Sequence, residues 1–97
     1  MNIQAMMAQA RKLQKDLEKT TKEIEEKVFQ YENDNVLIEA LGNNHINKIE
    51  IKNDSLTEDK ELLSDIILVG INDVLDQIKK EKESKHGKYT NGLGGLF

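Results

Sequence analysis

The residues best suited to chemistry in this chain are cations, and they come in two clusters. Arg11, Lys12, Lys15, Lys19 and Lys22 share residues 1–22 with only Asp16 and Glu18 on the acidic side. At helical pitch they form rows, because side chains three and four residues apart lie on one face. Lys79, Lys80, Lys82, Lys85 and Lys88, with His86 among them, make a second cluster near the C-terminus. Mobile cations on a protruding surface neutralise phosphates and release counterions, so both clusters are candidates for contact with a nucleic-acid backbone. Each has a plainer reading. The first could be a solvated face laced by pairs such as Glu18–Lys22, and the second a set of cations that complements the end of a helix dipole. No aromatic residue interleaves either cluster, which argues against base stacking on single strands. Few Arg, Asn or Gln side chains stand where they could read base edges, so backbone binding with a shape preference is expected rather than sequence readout.

Other chemistries fare worse. The chain has no cysteine, which removes disulfides, thiol catalysis and thiolate zinc sites. His45 and His86 share no ligand spacing, so no metal site is expected. Glu58, Asp59, Glu61 and Asp65 are better explained as complement to a helix N-terminus than as paired catalytic carboxylates. The glycines at 87, 92, 94 and 95 make no phosphate loop, since no Gly-Lys-Ser/Thr is present and no helix follows. Nothing here argues for an enzyme or a small-molecule substrate.

With 97 residues, 37% apolar and 33% charged, the chain holds one domain at the polar edge of the globular range. No apolar run approaches a membrane span, and residues 1–20 read as polar helix rather than signal peptide, so a soluble cytoplasmic protein is expected. The net charge of −4 hides a pattern: residues 1–31 sum to +1, residues 32–78 to −8 and residues 79–97 to +3. Basic ends flank an acidic middle.

The elements that must position these groups are legible. Ile3, Met6, Ala10, Leu13, Leu17 and Ile24 recur at spacings of three and four, with Thr20 in the one slot that breaks the stripe. This predicts a helix over roughly residues 2–25. At 1.5 Å per residue it is about 36 Å long, too long to lie wholly on a core this small. Val28–Tyr31, Val36–Ile38 and Ile46–Ile51 are β-branched or aromatic clusters of strand length, separated by Asp34-Asn35 and by Gly42-Asn43-Asn44. A three-stranded antiparallel meander is expected. Thr57 is the expected N-cap of a second helix over about 58–85, whose first half is apolar on more than one face and contains Gly70. Residues 1–86 then form one α+β domain and residues 87–97 a flexible Gly-rich tail. A small sheet with two open edges, a long striped helix and surplus apolar faces call for a second copy of the chain, so a homodimer is expected.

Three stretches together resemble the YbaB/EbfC family of small bacterial nucleoid-associated proteins, over nearly the whole chain. They are Met7-Ala8-Gln9-Ala10 with Leu13-Gln14 and Leu17; Ile49-Glu50-Ile51, Ser55-Leu56, Glu58–Leu63, Asp65 and Ile71-Asn72-Asp73; and the terminal Gly92–Phe97. The resemblance implies an α+β homodimer with helical arms like tweezers. It also implies binding of double-stranded DNA in the cytoplasm, at the nucleoid, in nucleoid organisation or gene regulation, with no catalysis and no cofactor. Asp54 and Gly94-Gly95 stand where the family commonly has proline, which leaves the fold intact and loosens the tail around Leu96 and Phe97. The alternative function is an adaptor that grips another protein with its arms, and the charge map of those arms discriminates the two.

Overall fold

The computed structural model describes residues 2–92, with side chains as far as Lys85. The order is α1 (Ile3–Glu26), β1 (Val28–Glu32), β2 (Val36–Leu41), β3 (Ile46–Ile51), a 3-10 turn (Asp54–Glu58) and α2 (Lys60–Gly92). The strands form an antiparallel meander in the order β1-β2-β3. Both turns are made by asparagine. Asn33 Oδ1 accepts from the N–H groups of Asn35 and Val36, and Asn44 takes the left-handed conformation at φ 70°.

Register puts Val36, Ile38 and Ala40 of β2 on one face, opposite Ile51, Ile49 and Ile46 of β3. Phe29 and Tyr31 of β1 join them, since each faces one of those β2 residues across the ladder. Val74 and Ile78 of α2 close the core with Phe29, Val36, Ile38 and Ala40. Among the described residues no helix covers the other sheet face, and its polar side chains pair along the surface: Gln30 donates to Glu39, and Lys52 lies 3.1 Å from Glu32.

α2 can sit this close to the sheet because residue 70 is glycine. A Cβ there would collide with Ile38 Cδ1 and lie 2.9 Å from Tyr31 Cδ1. From Gly70 the helix runs over the strands toward the β2–β3 hairpin, where Gln77 donates to the Gln30 carbonyl and Glu81 pairs with Lys27 at 3.2 Å. The last eleven residues of α2 continue beyond that point. α1 leaves from the same end. The molecule measures 70 × 21 × 16 Å, longer than the ~50 Å of α2 alone, so α1 extends along the long axis as an arm. Its inner turns pack on α2, with Ile24 buried and Thr20 and Thr21 half-buried, whereas Ile3, Met6 and Met7 at the tip are exposed.

The arm is seated on Gly42. The Gly42 N–H donates to the Lys27 carbonyl at 2.9 Å, and the Lys27 N–H to the Ile24 carbonyl at 3.0 Å. A Cβ on residue 42 would fall on the Ile24 carbonyl and 3.1 Å from Glu25 N. These are backbone atoms of the last helical turn, and they cannot swing aside.

Two expectations need correcting. The N-cap of α2 is Asp59, not Thr57: Asp59 Oδ1 accepts from Leu62 N at 3.0 Å, while Thr57 Oγ1 donates to the Asp54 carbonyl. Asn53 caps a 3-10 turn that buries Leu56, and this turn takes up the residues expected to begin the helix. α2 also runs to Gly92 rather than ending near residue 85, because Gly87 weakens a helix by about 1 kcal/mol without removing its hydrogen bonds. The expected tail residues Leu93–Phe97 lie outside the described residues.

Gly42→Ala should cost about 3 kcal/mol, at the upper end of overpacking, because backbone must move. Gly70→Ala should cost less, since side-chain tips can give and alanine recovers about 1 kcal/mol of helix propensity. Urea denaturation followed by circular dichroism measures both. Equal costs, or a cost below about 1 kcal/mol for Gly42→Ala, would mean the arm is not seated as described.

Candidate nucleic-acid interface

α1 begins at Asn2, whose side chain caps the first turn by accepting from Ala5 N at 3.2 Å. The helix then turns about 100° per residue, which decides where each cation points. Arg11, Lys15, Lys19 and Lys22 follow at intervals of four, four and three, so they lie along one ridge roughly 17 Å long, with Lys12 beside it. All five are exposed, and none forms an ion pair with a described residue. The Glu18–Lys22 pair does not form. Glu18 instead accepts from Gln14 at 3.4 Å.

Residues 2–15 contain no acid, but Glu18 lies on the ridge side, three residues from Lys15 and four from Lys22, Asp16 flanks Lys12 and Lys19, and Glu23, Glu25 and Glu26 crowd the last turn near the root. The apolar stripe of Ile3, Met6, Ala10, Leu13 and Leu17 lies on roughly the opposite side of the helix from the cations. The arm therefore offers two distinct faces, one a row of free cations and the other apolar.

The second cluster does not become one surface. Lys79 and Lys82 line a groove with Asn44, Leu75 and Ile78 on the hairpin flank of α2, and Lys82 is half-buried there. Lys80 lines another groove with Lys27, Gln30 and Gln77 on the β1 flank. Lys85 is exposed beyond the sheet, and the side chains of His86 and Lys88 lie outside the described residues. A run of lysines at intervals of one to three must spread around a helix, and acids share both flanks: Asp76 and Glu83 with Lys82, Glu81 with Lys80. His45 is exposed at the hairpin, its N–H donating to Asn43 Oδ1.

An unpaired cation ridge on a projecting helix suits polyanion contact, and comparison with known proteins points the same way. Residues 1–93 match the YbaB/EbfC DNA-binding family. The chain belongs to that family. It is 41% identical over 96 residues to a nucleoid-associated protein of Lactococcus lactis subsp. lactis, covering 96% of this chain and 97% of the relative. A nucleoid-associated protein of Enterococcus faecalis is 38% identical over 98 residues, covering 98% and 94%. One of Metamycoplasma arthritidis is 35% identical over 92 residues, covering 94% and 97%. Among the described residues, no helix is long and apolar enough to cross a membrane.

Because the ridge cations hold up nothing in the folded chain, Lys15→Ala/Lys19→Ala should shift stability by less than about 0.5 kcal/mol in the same denaturation assay. A loss above about 1 kcal/mol would mean they pair within the fold and are not free for a ligand.

Proposed function

We propose that this protein acts at the bacterial nucleoid as a homodimer that holds double-stranded DNA by its phosphates, through the α1 ridge of each copy. The observation that carries this reading is the confinement of five free cations to one side of a projecting arm. Arg11 stands about 22 Å out from the root of α1, well beyond the screening length of about 8 Å at physiological salt. The acidic stretch 32–78, which sums to −8, therefore does not cancel attraction at the tip of the arm. With no aromatic and few amide side chains on the ridge, backbone contact outweighs base reading.

The second copy is called for by apolar surface that this chain leaves open. Ile49 and Ile51 face the α2 side of the sheet yet stay exposed, because α2 packs over β1 and β2. Leu68 and Val69, 58% and 57% exposed, point away from the core on α2. A helix apolar on both sides is suited to burial between two sheets, its own and a partner's.

The exposed stripe at Ile3, Met6 and Met7 favours a second reading, an adaptor that packs a partner helix against the arm. Such capture would be insensitive to salt.

Fluorescence anisotropy of a labelled duplex across a salt series tests the proposal. Each phosphate contact contributes about 0.9 to the slope of log affinity against log salt, so Lys15→Ala/Lys19→Ala on both arms should flatten it by at least about 2. No binding at low salt, or a slope unchanged in the variant, would overturn the ridge as the contact surface and favour the adaptor.

A further inference from the structure

The two edges of the sheet are not equivalent. On β1, the N–H and C=O groups of Val28, Gln30 and Glu32 point away from β2, since Lys27 and Asn33 make the hydrogen bonds inward. That edge is partly occupied: Gln77 reaches from α2 to the Gln30 carbonyl at 3.0 Å, and Lys27 and Glu81 pair beside it. On β3, Lys52 bonds inward to Asn35, so Lys48, Glu50 and Lys52 face β2 while the backbone groups of Ile49 and Ile51 face outward. No described residue reaches these groups. The irregularity in the β2–β3 ladder sits at Glu39/Ala40 and leaves residues 48–51 regular.

An open, regular edge is a template for another strand, and its side chains decide which. Lys48 and Glu50 lie on the uncovered sheet face, both about half-exposed, 3.6 Å apart on the same strand. We infer that β3 pairs antiparallel with β3 of a second copy, about a two-fold axis at Ile49. This register sets Lys48 against Glu50 of the other copy and Glu50 against its Lys48, while Ile49 meets its own mate. The neighbouring registers are worse. Axes at residue 48 or 50 oppose like charges. An axis at residue 47 sets Lys48 against Ile46 and Glu50 against Asn44. One at residue 51 pairs Ile49 with Asn53, past the end of the strand.

This seam uses the edge backbone of β3, whereas the proposed homodimer contact uses the outer side of α2 and the sheet face that carries the Ile49 and Ile51 side chains, and the inference rests on that reading for its consequence alone. Two different two-fold contacts on one chain join dimers into larger assemblies, and unless the two axes cross to close a tetramer, dimers joined at β3 extend into an open row. A protein of this kind would hold successive stretches of duplex by successive arms.

Light scattering and sedimentation of the full chain over a wide concentration range, without DNA, test the seam. The wild type should grow beyond the dimer as concentration rises. Lys48→Glu alone and Glu50→Lys alone should each stop at the dimer, with an association constant for further growth at least about tenfold lower. Mixing the two variants should restore growth, because each strand then faces opposite charge. Circular dichroism checks that both remain folded. A wild type and variants all fixed at the dimer, single variants that grow like the wild type, or a mixture that fails to grow would each overturn the seam. A wild type that stops at the dimer and variants that become monomers would keep the seam and overturn the α2 contact instead.

Discussion

Everything distinctive about this molecule depends on one backbone-to-backbone contact, the seating of Gly42 against the last turn of α1. The Ile24 carbonyl lies where any other residue at position 42 would place its Cβ, so the hairpin and the helix meet at a distance that only glycine allows. That contact, fixed by hydrogen bonds through Lys27, turns the chain outward instead of folding α1 back over the sheet. A helix of 24 residues leaving a small body must then stand as an arm. Its charges work at a distance from the acidic remainder of the chain, which is how a protein of net charge −4 can present a cationic surface.

α2 answers a different demand. Gly70 lets one side of it touch Ile38 and Tyr31, and Val74 and Ile78 complete a core that is small for 97 residues. The opposite side carries Leu68 and Val69, and β3 offers Ile49 and Ile51 beyond its reach. Structural load thus falls on α2 and the sheet, and the proposed reading adds assembly to them while it gives the ligand surface to α1. Such a division leaves the ridge free to vary in charge without cost to the fold.

Much of this was legible in the residues. Periodicity placed α1 within a residue of its ends, and β-branched clusters with asparagine turns gave the meander in the right order. The surplus apolar faces of α2 were visible, and so was the row of cations. What escaped had tertiary causes. Gly42 reads as a turn residue from its Asn neighbours, since nothing local reveals that α1 returns to rest on it. Thr57 looked like a cap because the burial of Leu56, which pulls Asn53–Glu58 into a 3-10 turn, depends on distant packing. The lysines at 79–85 read from sequence equally as a phosphate patch or as complement to a helix end, and only the fold shows that α2 carries them onto two flanks with acids beside them. Alternating outward and inward groups on β3 could be counted in advance; which edge stays open could not, because Gln77 closes the other from 47 residues away.

The central claim is that DNA meets the arm and not the body. Backbone amide shifts in an NMR titration of the full chain with a short duplex test it most directly. Perturbations should concentrate along residues 11–22 of α1 and fade with added salt, with the sheet and residues 79–85 of α2 nearly silent. Shifts centred on residues 79–85, or on the sheet with α1 unchanged, would contradict the account.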